Sequence, residues 1–224
     1  GLETEQGEIK GKDGLSNKEE ALFLVQGLNA HGISPDWIAL NNGTTHGIEA
    51  SDAGIQVGLT AEIHRAVAPY QVSGAQHGTS GNSSERLRHI AAETHTTKAN
   101  VATALQMISW GVKVNDYGNA ELDANGEFIK VPGRGATEEV WAKMAILLGQ
   151  SREVRERMAQ AVEEFAYHLL TEVFNARDTA PLAIEAILKA GSHDLGPKSG
   201  RIEDPAAWTP EKIAARAKAL TGDK

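Results

Sequence analysis

A strand–turn–helix pattern recurs through the first 110 residues and constrains the fold more than any other feature of this sequence. Predicted strands lie at residues 2–6, 37–41, 70–75 and 96–101, and a predicted helix follows each of them. The units repeat at a spacing of roughly 30 residues, which is what crossovers between parallel strands require. A complete (β/α)8 barrel takes about 250 residues. The sequence therefore predicts an α/β fold with half the units of a TIM barrel.

Two of the predicted strands end in the same dipeptide. His46-Gly47 follows the second strand, and His77-Gly78 follows the third strand 31 residues later. The carboxyl ends of parallel strands meet at one rim of the sheet, where α/β folds carry their chemistry. Neutral imidazole is a good ligand for zinc and similar divalent ions. The pair therefore suggests a metal site. Glu5, at the end of the first strand, would be a third ligand or a carboxylate that contacts the ligands without binding the metal.

Simpler interpretations of these residues remain open. Each histidine can cap its loop by hydrogen bonding, and the glycine turns can be ordinary strand-to-helix connections without a ligand. Gly78 and Ser80 precede a predicted helix start, where exposed N–H groups and the helix dipole suit a phosphate. We interpret the other histidines as structural or solvent-facing; they are residues 31, 64, 89, 95, 168 and 193.

After residue 110 the strand–turn–helix pattern stops. Residues 111–136 are rich in turn formers and predict a loop with a short hairpin. Residues 137–224 predict a helical extension, with helices beginning near Thr137, Ser151, Pro181 and Glu211. We thus expect three regions: 1–110 with the βα units, 111–136 as loop, and 137–224 as an extension that packs on the body or on a partner subunit.

Composition excludes several classes of protein. There is no cysteine, so a metal must be held by nitrogen and oxygen ligands. A net charge of −8 without a basic cluster argues against nucleic acid as a partner. No apolar run reaches the roughly 20 residues that span a bilayer, and we expect no signal peptide, no membrane partner and a cytoplasmic location. The chain starts without Met, and we expect it to be part of a longer polypeptide.

Four motifs in order resemble the class II, metal-dependent fructose-1,6-bisphosphate and ketose-bisphosphate aldolases. They are Leu2-Glu3-Thr4-Glu5-Gln6-Gly7, Gly43-Thr44-Thr45-His46-Gly47, His77-Gly78-Thr79-Ser80-Gly81 and Lys98-Ala99-Asn100-Val101-Ala102-Thr103. The resemblance covers about residues 1–110. It implies the C-terminal half of a (β/α)8 barrel in a homodimer or higher oligomer. It also implies reversible cleavage of fructose 1,6-bisphosphate, or a related sugar phosphate, to dihydroxyacetone phosphate and glyceraldehyde 3-phosphate.

The resemblance also assigns roles to individual residues. It implies Zn²⁺ or another divalent metal, with a monovalent cation as a further ion, and the metal would polarise the substrate carbonyl and stabilise the enediolate. The implied metal ligands are His46, His77 and Glu5. The implied residues around the substrate and its phosphate are Gly47, Gly78, Thr79, Ser80, Asn100 and Thr103. Asn100 and Asp13 are the implied catalytic residues.

The sequence departs from the family pattern in four places. Nothing corresponds to the N-terminal half, which in the family carries the first metal histidine, so a missing N-terminal barrel half is an expected partner. The loop containing Asp13 is short and partly basic. Ala102 replaces a frequent aspartate, and Asn41-Asn42 replaces a more apolar lead-in to the His46 turn. These departures keep two alternatives open: a non-catalytic accessory subunit of an aldolase, or a sugar-phosphate-binding module.

Overall fold

A computed structural model describes residues 1–7, 14–44, 54–116, 118–135, 151–190 and 202–222. Four strands form one parallel sheet in the order β1-β2-β3-β4. They are β1 (Glu3–Gln6), β2 (Trp37–Leu40), β3 (Ser73–Gln76) and β4 (Thr96–Ala99). The interleaved helices are α1 (Lys18–Ala30), α2 (Val57–Val67), α3 (Ser84–Glu93) and α4 (Thr103–Ser109). This alternation of parallel strands and helices is part of a TIM barrel, as the spacing predicted.

Local sequence signals set the helix starts. Asn17 caps α1 by accepting a hydrogen bond from the backbone N–H of Glu20, and Ser83 caps α3 in the same way. The predicted strand at residues 70–75 begins later than expected, at Ser73. Ala68–Tyr70 forms a 3₁₀ turn, and Gln71 follows it in a left-handed conformation with φ of 58°, so the chain cannot extend before residue 72.

The strands alternate between two faces. Ile38 and Leu40 point to the outer face, where they pack against α1 and α2. Their neighbours Trp37 and Ala39 therefore point to the opposite face, which we call the inner face because it is the one that faces the axis of a barrel. The register pairs Glu3 with Trp37 and Ala39 with Ala75, which places these side chains on the inner face as well.

The apolar core lies between the outer face and the helices. Its first cluster contains the buried residues Ala21, Val25, Ile38, Leu40, Ile63, Val67, Tyr70 and Val72. A second cluster joins α3 to the C-terminal region through Ile55, Leu87, Ile90, Leu169 and Val173. Burial of this apolar surface is what holds the helices on the sheet.

The turn-rich segment after α4 forms a small antiparallel ribbon with isolated bridges at Val112–Lys130, Val114–Ala120 and Leu122–Phe128. Three helices follow: α5 (Arg152–His168), extended by a π turn at Leu169–Val173, then α6 (Ala180–Ala190) and α7 (Pro210–Thr221). The helix predicted from Thr137 lies outside the described residues. None of the helices in the described part of the chain is long and apolar enough to cross a membrane.

Trp208 anchors the last segment on α1. Its side chain is 1% exposed and lies against the ring of Phe23, with the Arg216 guanidinium 4.1 Å from the ring centroid. Glu203 accepts hydrogen bonds from the Trp208 indole and from the hydroxyl of Tyr70. The segment around Trp208 is therefore packed on α1, in the outer helical layer.

Candidate active site

His77 lies directly after β3, at the carboxyl end of the sheet. Its Nε2 atom is 2.7 Å from Oε1 of Glu3 and 2.6 Å from the carboxamide of Asn100. These residues follow or begin three different strands, and Glu3 precedes His77 by 74 residues in sequence. The fold thus brings together two predicted site residues, His77 and Asn100, with a glutamate that the sequence interpretation had not singled out.

Glu3 links His77 to a cation. Its second oxygen, Oε2, lies 2.5 Å from Nζ of Lys98. Partial burial acts to raise the pKa of the Glu3 carboxyl, but the hydrogen bonds and charges of Lys98 and His77 outweigh it and lower the pKa below its ordinary value. Glu3 is therefore a carboxylate at neutral pH, and a carboxylate only accepts hydrogen bonds.

Because Glu3 is ionised, it determines which ring nitrogen of His77 carries the hydrogen. Because the carboxylate accepts, Nε2 of His77 must carry the hydrogen that it donates to Glu3. The amide nitrogen of Asn100, Nδ2, lies 2.6 Å from the same Nε2 atom. Two donors cannot form one hydrogen bond, so we infer that the Asn100 amide turns to offer its oxygen to the Nε2–H. In neutral imidazole the other nitrogen, Nδ1, is the one that holds a lone pair, and a metal ion binds such a lone pair.

A buried polar network fixes the backbone around His77. The carbonyl oxygen of His77 accepts hydrogen bonds from Nε2 of Gln76 and Oγ1 of Thr44, at 2.5 and 3.3 Å. Asn42 donates to Oε1 of Gln76 at 2.8 Å and to Oγ1 of Thr60 at 3.1 Å. The polar pair Asn41-Asn42, which departs from the apolar lead-in expected before the His46 turn, thus has a structural reason: Asn42 ties the end of β2 to the end of β3.

The turn that follows His77 is closely tied to α4. Gly78 has φ of 61°, a conformation that favours glycine, and its carbonyl accepts a hydrogen bond from Asn82. Thr79 and Ser80 are buried, and Oγ of Ser80 accepts a hydrogen bond of 3.0 Å from the backbone N–H of Ala104. The predicted phosphate-binding residues of two successive loops are thereby adjacent, since Thr103 is the first residue of α4. Their role in phosphate binding stays a prediction.

The remaining predicted residues are distributed as follows. Glu5 lies in β1 two positions after Glu3, so it shares the inner face, and it is exposed. His46, Gly47 and Asp13 lie outside the described residues. Within the described ranges, no three His, Asp or Glu side chains converge as a ligand set. The two-histidine arrangement therefore stays a prediction.

Sequence reasoning missed Glu3 and Lys98. The alternation of side chains along a strand places Glu3 and Glu5 on one face, but it does not say which of them reaches His77. Lys98 stood inside a quoted motif without an assigned role. Both residues are charged and lie in predicted strands, and a charge on a face that a barrel would bury needs a partner. That combination is the signal by which the sequence could have indicated them.

A comparison with protein-family models gives one match, to the class-II fructose-bisphosphate aldolase family, over residues 1–170. The match extends beyond the four motifs, through the antiparallel ribbon and α5. No curated protein matches the chain. Because the family model covers well over half of the 224 residues, the chain belongs to the class-II fructose-bisphosphate aldolase family.

Proposed function

We propose that this chain carries the His77 part of a metal centre in a lyase that reversibly cleaves a ketose bisphosphate. The substrate would be fructose 1,6-bisphosphate, giving dihydroxyacetone phosphate and glyceraldehyde 3-phosphate, or a related sugar phosphate. The observation that carries this proposal is the 2.7 Å contact between the Glu3 carboxylate and Nε2 of His77. Membership of an aldolase family supports the reaction class.

The residues around His77 fit a divalent metal. Histidines that bind a metal almost always donate their other ring N–H to a carboxylate, a backbone carbonyl or water, which fixes their tautomer and orientation. Glu3 gives His77 such a partner, so Nδ1 is the nitrogen that would bind Zn²⁺ or a similar ion. His46 and Glu5 are the other proposed ligands. When bound, the metal would supply Lewis-acid polarisation of the substrate carbonyl.

The chain's own residues would bind and orient the substrate. Asn100 touches His77 and directly follows β4, and we propose that its carboxamide contacts the substrate near the metal. The Gly78 turn and the start of α4 meet at Ser80, where backbone N–H groups and hydroxyls suit a phosphate. We propose Gly47, Gly78, Thr79, Ser80 and Thr103 as the residues around that phosphate.

The open sheet edges support a partner half-barrel. In the described part of the chain, β1 and β4 each have a strand neighbour on one side only, and such edges expose unpaired backbone groups. Beside β4 lies an apolar groove of about 540 Å³, lined by Leu87, Ile90, Leu105, Leu169 and Phe174 among others. We propose that the N-terminal half of the barrel, with a further metal ligand, covers this edge, and that the completed barrel assembles as a dimer or larger oligomer.

The test is metal content and turnover of the His77→Ala variant, with His89→Ala as the matched control. His89 lies on α3 and is more than half exposed, so its loss should leave metal binding intact. We expect about one divalent ion per wild-type chain by elemental analysis, and loss of most of it in His77→Ala. Equal metal content in wild type and His77→Ala would contradict the proposal. Retro-aldol turnover that stops with a chelator would establish the lyase activity once the other half-barrel is supplied.

One observation favours a second candidate, a non-catalytic accessory subunit or sugar-phosphate-binding module. Ala102 stands at the N-terminal cap of α4, where the family often has an aspartate, and alanine offers no side-chain group to a substrate. A completed barrel that binds a ketose bisphosphate by calorimetry, but shows no cleavage with metal present, would select this candidate over the lyase.

A further inference from the structure

An irregularity in β4 decides which face Lys98 occupies. Gly74 of β3 pairs with Thr96, but the next residue, Ala75, pairs with Lys98, so Thr97 is an extra residue in the strand. In a regular register Lys98 would pair with Gln76, whose side chain lies with Asn42 towards the outer helices. The bulge at Thr97 therefore turns Lys98 to the inner face. Bulges that re-aim a side chain occur preferentially at sheet edges and next to active sites.

Contacts on the inner face hold Lys98 in that orientation. Its Nζ atom lies 2.5 Å from Oε2 of Glu3 and 5.7 Å from the ring centroid of Trp37. The bulged residue contributes as well, because Oγ1 of Thr97 accepts a hydrogen bond of 2.9 Å from the indole N–H of Trp37. The bulge therefore sets the orientation of Lys98, and its Thr97 hydroxyl holds the Trp37 ring beside the lysine.

We propose that Lys98, set by the Thr97 bulge, is a positioning residue that orients His77 through Glu3. The ammonium group holds Oε2 of Glu3, which leaves Oε1 aimed at Nε2 of His77. Without Lys98 the Glu3 side chain gains rotamers in which Oε1 no longer meets the imidazole, and His77 loses the charged acceptor that favours its Nε2–H tautomer. The expected effect of Lys98 on metal affinity rests on the proposed function, whereas its expected effect on the His77 tautomer does not.

The direct test uses the full chain labelled with ¹⁵N-histidine, free of metal and at about pH 8, where an ordinary imidazole is neutral. In the wild type we expect the nitrogen spectrum of His77 to show the Nε2–H tautomer. Lys98→Met, which keeps the length of the side chain, should give a mixture of tautomers, and Lys98→Arg should restore the wild-type spectrum. Lys113→Met is the matched control, because Lys113 pairs with Glu121 in the antiparallel ribbon.

A second measurement connects the tautomer to metal binding. Titration with Co²⁺ alone, followed by its visible absorption, should give about tenfold weaker binding or more in Lys98→Met than in the wild type or Lys98→Arg. If Lys98→Met does not fold by circular dichroism, Lys98→Ala, which also removes the hydrogen-bond donor, replaces it in both measurements.

The outcomes separate the two proposals. An unchanged His77 tautomer in a folded Lys98→Met or Lys98→Ala chain overturns the positioning role, whatever the metal does. Equal Co²⁺ binding by the wild type and His77→Ala overturns the proposed metal ligand, while the tautomer spectra still decide the role of Lys98. A tautomer change that arginine reverses, together with weaker Co²⁺ binding, supports both.

Discussion

Protonation of His64 should make this protein lose stability between pH 7 and pH 5. His64 lies on α2 with 2% of its surface exposed, and its ring packs on Gly74 of β3. Its Nδ1 atom is buried without a hydrogen-bond partner in the described structure. Burial, with a smaller effect from the charge of His95, lowers the pKa of His64 to about 4 from its ordinary value of 6.5.

The direction and the size of the effect follow from linkage. Between pH 6.5 and about 4 the unfolded chain binds a proton at His64 and the folded chain does not, so stability falls as the pH falls. From these two pKa values, the free energy of unfolding should drop by about 2 kcal/mol between pH 7 and pH 5. The full loss, about 3 kcal/mol, would be reached below pH 4.

Urea denaturation at pH 7, 6 and 5 measures this loss, with His64→Phe as the test variant. Phenylalanine keeps an aromatic ring against Gly74 and cannot titrate, so most of the drop attributable to this residue should vanish. His89→Gln is the control. The pKa of His89 is raised by its hydrogen bond to Glu93, so removing it should not abolish the drop. An identical pH dependence in wild type and His64→Phe would refute the reasoning.

Three further variants test the packing. Gly74→Ala would place a Cβ atom 1.9 Å from Cε1 of His64 and should cost about 1–3 kcal/mol; adding His64→Ala should recover part of that loss in urea denaturation. Trp208→Ala should cost about 3–5 kcal/mol and speed proteolytic release of the C-terminal segment, and an unchanged cleavage rate would contradict the anchoring role. Asn17→Ala removes the cap on the N–H of Glu20 and should cost about 1 kcal/mol in thermal or urea unfolding; no change would show that water replaces the cap without loss.

Local patterns in the sequence were sufficient to predict most helices and strands of the described residues, with the late start of β3 at Ser73 as an exception. The caps at Asn17 and Ser83 are polar residues directly before a helix, which is the ordinary sequence signal of a helix start. The four strands and their order along the chain were predicted as well, because a buried strand and an amphipathic helix each have a period that is visible in a single segment. The TIM-barrel prediction and the aldolase family followed from the spacing and from motifs within these segments, and the family match confirms both.

The sequence by itself thus determined which segments are strands and helices, and that His77 and Asn100 stand at strand ends on one rim. Only the tertiary structure decided that Glu3 meets His77, that the Thr97 bulge turns Lys98 to the inner face, and that Asn42 ties β2 to β3. The physical reason is that these contacts depend on register between strands dozens of residues apart. Side-chain periodicity specifies a face, whereas pairing across the sheet specifies the partner.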